Sequence, residues 1–212
     1  MHFIFSDISV YLNFFVSLFA LVNPIGMIPI FTTMTNHFSV EERNKTNYIT
    51  NISVFIILSI SLILGNSVLC FFGISMNAFR ISGGVLISII AMSMINGTLI
   101  KKNKIHKKEI ISDTNIGIVP LAMPLIAGPG AISTTIMWGM QYSGIINMII
   151  GSIIIAFFTF FCWMLFRTAP IIVSILGSTG INIITRIMGL LLMALGIELI
   201  IRGISVLFPS LL

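Results

Sequence analysis

The residues of this chain best placed to do chemistry are prolines and glycines, not acids, histidines or nucleophiles. Asn23-Pro24-Ile25-Gly26 and Gly128-Pro129-Gly130-Ala131 interrupt two apolar segments. Proline has no N–H to offer the carbonyl one turn earlier, and its ring clashes there. Glycine admits φ > 0 and lets another backbone approach closely. Such breaks free main-chain N–H and C=O groups, whose chemistry is binding, with no covalent step. A helix that restarts after a break aims N–H groups and the positive end of its dipole at a carboxylate. The segment that stops before it aims carbonyls at an ammonium group or a cation. Asn23 adds an amide that donates and accepts. Ser133 and Thr134 follow the second break directly, and Pro29, Pro120 and Pro124 disturb the same segments.

Each break is followed by an Arg-x-x-Gly motif at nearly the same distance. Arg80-Ile81-Ser82-Gly83 begins 56 residues after Pro24, and Arg186-Ile187-Met188-Gly189 begins 57 residues after Pro129. The chain thus repeats its own punctuation. Matched breaks in two halves of an apolar chain point to a transporter's binding site. In lipid, irregular backbone persists only where protein or a wet cavity covers it.

The elements that must position these residues are membrane helices. Of 212 residues, 57% are hydrophobic and 8% charged, with mean hydropathy +1.13. Soluble domains carry roughly 25% charged residues. Six apolar segments, about 8–34, 49–72, 78–100, 116–140, 145–166 and 183–207, have the ~20 residues a span needs. Residues 1–100 form a first repeat of three spans, 101–115 a basic loop, and 116–212 a second repeat. Lys101, Lys102, Lys104, Lys107 and Lys108 place that loop in the cytoplasm, which puts both termini outside. Three spans per half is an odd number, so the second repeat enters the membrane inverted. The fifth span either stops near Arg167 or runs past Pro170 toward Gly177.

Several function classes lack their parts. The lysine run has no interleaved aromatics, so nucleic acid is excluded. Cys70 and Cys162 lie in apolar segments without metal-ligand spacing and read as buried thiols. The three histidines form no cluster. No phosphate loop, H-E-x-x-H or G-x-S-x-G occurs, so neither enzyme chemistry, cofactor nor metal is expected. The first apolar segment exceeds a signal-peptide core and is expected to be retained.

Blander roles compete at each position. Serine and threonine in spans mostly bond their own helix or pack between helices. Arg80 and Arg186 could meet a substrate carboxylate or gate a cavity, or snorkel to headgroups. Glu198, the one acid deep in a span, is a candidate proton carrier. Arg202 stands four residues on, in the favourable order for a helical ion pair. Gly83, Gly84 and Gly189 suit close helix packing.

Two runs carry a family resemblance. Leu21-Val22-Asn23-Pro24-Ile25-Gly26-Met27-Ile28-Pro29-Ile30-Phe31 is one, and Pro120 through Thr134, with its Ala127-Gly128-Pro129-Gly130-Ala131 centre, is the other. Together with Arg80-Ile81-Ser82-Gly83-Gly84 and Arg186-Ile187-Met188-Gly189 they resemble the MarC family of bacterial inner-membrane proteins. The resemblance implies six spans, both termini in the periplasm, and kinship with small neutral amino acid transporters handling glycine and alanine. It marks Asn23, Pro24, Gly26, Gly128, Pro129 and Gly130 as site candidates.

The expectation is an all-α integral membrane protein of two inverted three-helix repeats, the first helix of each broken. Its expected partners are the lipid bilayer and a small polar solute, with H⁺ or Na⁺ as coupling ion. Substrate-binding candidates are Asn23, Pro24, Gly26, Gly128, Pro129, Gly130, Ser133 and Thr134; coupling or gating candidates are Arg80, Arg186 and Glu198. The alternative is a non-transporting membrane component in assembly or stress response, with its breaks packed shut.

Overall fold

The computed structural model describes residues 2–35, 38–97 and 117–207, and among them every regular element is a helix. The basic loop and residues 208–212 lie outside the described residues. Helix α1 spans His2–Val22 and α2 Pro24–Met34, separated by Asn23 alone. Helix α3 spans Val40–Phe71 and α4 Met76–Ile95. After the loop come α5, a π-helical segment over Gly117–Ile126, and α6 over Pro129–Gln141. Helix α7 runs from Ile145 to Leu207 with a bend at Gly177.

Local chemistry sets these limits. Ser39 and Glu42 start α3 with a reciprocal capping box: the Ser39 N–H donates to Glu42 Oε2 at 2.6 Å and the Glu42 N–H to Ser39 Oγ at 3.2 Å. Gly73, at φ 64°, ends it, letting Ile74 N–H reach Leu69 O and Gly73 N–H reach Cys70 O. Pro120 and Pro124 cannot donate in the i→i−4 pattern, and the backbone winds wider, with Ala127 N–H on Ala122 O at 2.8 Å.

Among the described residues, five stretches are long and apolar enough to cross a bilayer: Ile8–Thr32, Val40–Phe71, Met76–Ile95, Ile145–Ile172 and Asn182–Leu207. The span expected over 116–140 is not among them: that stretch is divided into α5 and α6, each too short to cross alone. The fifth span continues beyond Pro170, because the chain stays helical to the bend at Gly177. Large aliphatic side chains stand exposed along the outer faces, among them Leu12, Ile60, Ile89, Ile153 and Leu190. That exterior suits lipid and would be costly in water.

Inside, α4 and the second arm of α7 run antiparallel. A Cβ at Gly84 would meet Gly196 O, one at Gly189 would meet Ala91 O, and one at Gly203 would meet Asn77 O. Glycines at these crossings let the two backbones touch, which compensates for the weak hydrophobic drive between helices in lipid. Phe14 stacks on Trp138 at 4.7 Å and Phe31 on Phe166 at 5.0 Å. These ring pairs tie the broken segments to α1 and α7.

Candidate functional site: two breaks around a closed cavity

The two breaks meet at one cavity near the centre of the bundle. Leu21, Val22 and Met27 reach it from the first break, and Leu125, Ile126, Gly128, Gly130 and Ala131 from the second. Ile87 and Ile90 of α4 and Leu192, Leu195 and Leu199 of α7 complete its wall. Its volume is about 30 Å³, room for one or two waters. The lining side chains are all apolar, so any polar contact there comes from the backbone.

The breaks differ in what they leave free. Asn23 sits in the left-handed region at φ 47°, its Oδ1 accepts from Gly26 N–H at 3.3 Å, and its Nδ2 points to Met188 Sδ at 3.3 Å. The Asn23 amide is therefore a helix cap and a packing contact, and it does not line the cavity. The second restart begins at Gly128 with no side-chain cap, and its first residue, Pro129, has no N–H to satisfy. The N–H groups of Gly130 and Ala131, in that first turn, stand beside the cavity without a side-chain cap. Free donors for an anion thus come from the second break.

Each break packs against the Arg-x-x-Gly motif of the other half. A Cβ on Gly26 would collide with Met188 Sδ, and one on Gly83 would collide with Pro129 Cβ. Both motifs lie inside helices. Ser75 caps α4, accepting from Ala78 N–H at 3.1 Å, so Arg80 stands one turn in. Arg186 lies in the second arm of α7, past Gly177.

The remaining expected residues are dispersed. Ser133 is buried with its Oγ donating to Gly130 O at 3.0 Å, and Thr32 and Thr35 likewise bond Ile28 O and Phe31 O at 2.8 Å. Thr134 is half-buried and faces a separate groove with Arg80, one turn from Gly130. Arg186 is exposed. Glu198 pairs with Arg202 Nε at 2.7 Å on the exposed side of α7, away from the cavity. Cys162 is buried as expected, whereas Cys70 lies exposed in the last turn of α3.

Two groups of residues were not anticipated from sequence. Leu21, Ile87 and Leu199 close over Gly130, their methyl carbons 3.4–3.9 Å from where its Cβ would be. Thr46, Asn47, Thr50 and Asn51 are buried in the first third of α3, a stretch expected to be largely loop. Their signal was present: i, i+4 pairs in line with Val54, Leu58 and Leu62, one continuous buried stripe. Asn47 Nδ2 donates to Trp163 O at 3.0 Å.

Helical spans, a lipid-suited exterior and breaks turned inward define a polytopic α-helical integral membrane protein. Comparison narrows this class: the chain belongs to the MarC family, whose description, MarC family integral membrane protein, matches residues 8–208. It is 61% identical to a UPF0056 membrane protein of Buchnera aphidicola subsp. Schizaphis graminum over the full length of both chains. It is 56% identical to UPF0056 membrane protein YhcE of Escherichia coli, covering 98% of each, and 36% identical to YvbG of Bacillus subtilis, covering 93% of this chain and 95% of that one. No solved structure matches it.

Proposed function

We propose that this protein is a secondary transporter of a small polar solute, of the neutral amino acid class that includes glycine and alanine, in the bacterial inner membrane. The observation that carries the reading is the convergence of both breaks on one small apolar cavity. The crossed packing of Gly26 on Met188 and of Pro129 on Gly83 supports an inverted pair of three-span repeats, with α5 and α6 together as the fourth span. Unpaired N–H groups at Gly130 and Ala131 suit a carboxylate. A site lined by small and aliphatic residues suits a solute with little or no side chain.

At about 30 Å³ the cavity holds no amino acid, so this conformation is the closed one. Transport then requires the Leu21, Ile87 and Leu199 side chains to part on one face while the opposite face stays shut, as alternating access demands. H⁺ or Na⁺ is the coupling ion in this reading. Glu198, paired and exposed, is poorly placed to carry the proton.

The test is uptake and efflux of labelled glycine and alanine in proteoliposomes. Flux is expected with the native chain and at least tenfold less with Gly130→Leu, whose side chain fills the cavity. No flux in either, or equal flux in both, overturns the reading.

A further inference from the structure

One helical turn from the closed cavity, toward the end of the bundle where α4 starts and α7 ends, lies a groove of about 340 Å³. Four elements carry residues of both: Ser17 stands four before Leu21, Thr134 four after Gly130, Arg202 three after Leu199, and Arg80 seven before Ile87. The groove thus adjoins the cavity, about one turn away along α1, α6 and α7 and about two along α4. The two differ in chemistry. The cavity wall is aliphatic, whereas the groove holds Arg80, Arg202, Asn13, Thr134, Gln141 and Tyr142. Among its lining residues are two guanidinium groups and no carboxylate.

We propose that this groove is an outer vestibule that captures the carboxylate of the solute, shut off from the cavity by a gate of Leu21, Ile87 and Leu199 seated on Gly130. The proposal rests on the transporter reading above and names how its solute is admitted. Arg80 is the principal anchor. It is half-buried, and its guanidinium lies against Met137 Sδ, an acceptor too weak to satisfy it. Arg202 spends Nε on Glu198 and keeps its terminal NH₂ groups for an anion. A guanidinium binds a carboxylate through two parallel N–H···O bonds. The walls of Phe14, Met137 and Trp138 lower the dielectric around it and focus its field. Arg80, half-buried among apolar side chains, is a costly cation unless it serves an anion, whereas Arg202 is exposed and paired with Glu198. The gate is cheap to open, because its leucine and isoleucine side chains touch a glycine and rotate without breaking a hydrogen bond. A lipid headgroup phosphate has the same chemistry as a carboxylate toward arginine, so the test separates the two.

The full chain, with Cys70→Ser and Cys162→Ala, is reconstituted and a single cysteine is labelled with a membrane-impermeant maleimide. Thr134→Cys is expected to label from the outer side, and Gly130→Cys at least tenfold more slowly. Glycine and acetate are expected to slow labelling of Thr134→Cys several-fold, and glycinamide is expected to leave it unchanged. Arg80→Gln should abolish that protection and Arg80→Lys should retain part of it. Equal labelling of the two cysteines overturns the gate. Protection by glycinamide, or protection that survives Arg80→Gln, overturns the carboxylate site. Labelling set by the phosphatidylglycerol content of the vesicle and indifferent to glycine assigns the arginines to lipid and also overturns it. Carboxylate protection without glycine or alanine flux would keep the vestibule and sink the transport reading, so the two fail separately.

Discussion

Gly26 and Gly83 lack a side chain at the two points where each break presses on the other half of the protein. Their obstacles differ. Gly26 faces Met188 Sδ, the end of a flexible chain, and the Asn23 amide, whereas Gly83 faces the Pro129 ring, which is fixed to the backbone. Overfilling a packed site costs about 1–3 kcal/mol, less when the neighbour can move. Gly83→Ala is therefore expected to lower the thermal midpoint in detergent more than Gly26→Ala does. Met188→Ala is expected to restore part of the loss from Gly26→Ala and none from Gly83→Ala. Additive losses in the Gly26→Ala, Met188→Ala double variant would show that the two residues do not touch. The break residues were legible from sequence because proline and glycine act on their own backbone. Their partners were not, because Met188 is an ordinary aliphatic position until the fold sets it against Asn23.

At the scale of elements, α3 shows how burial changes the meaning of polar residues. It has 32 residues, about 48 Å at ~1.5 Å each, well beyond the ~30 Å hydrocarbon core. Its first third carries Thr46, Asn47, Thr50 and Asn51 into the bundle rather than to solvent. Thr46 Oγ1 and Thr50 Oγ1 have no hydrogen-bond partner, while Asn47 joins α3 to α7 through Trp163 O. Removing an unpaired buried hydroxyl is near neutral or favourable, whereas removing one partner of a buried bond costs ~1–3 kcal/mol. Thr46→Val and Thr50→Val are expected to leave the thermal midpoint unchanged or raise it, and Asn47→Leu to lower it. The opposite order would mean that the threonine hydroxyls hold something the fold itself does not supply. Helix limits were readable wherever a local motif sets them, as at Ser39 with Glu42 or at Gly73. The widened turn of α5 was not, since proline says only that an ordinary turn fails, and neighbouring helices decide which turn replaces it.

For the whole molecule, the number of crossings sets which side each terminus faces. Among the described residues five continuous stretches suffice alone. If α5 and α6 together cross once more, the count is six and both termini share a side. If they enter and leave by the same face, the count is five and the termini face opposite sides. Six crossings are expected, with N- and C-terminal tags and a Ser143→Cys label accessible from outside and a Lys104→Cys label from the cytoplasm. Tags on opposite faces would remove the inverted-repeat architecture and the transport mechanism with it. The antiparallel touch of α4 and α7 at Gly84, Gly189, Gly196 and Gly203 supports the six-span arrangement, since it joins the third helix of each half about one axis.

Hydropathy, the lysine run and the proline–glycine breaks are properties of the chain taken a few residues at a time. They settle that it is a helical membrane protein and where its helices are interrupted. Which break keeps free N–H groups, how Arg80 and Thr134 come to share a groove, and how Leu21, Ile87 and Leu199 gather around Gly130 depend on residues far apart in sequence. Those features were decided by packing, because a side chain acquires a partner only when a distant segment is brought within a few ångströms of it.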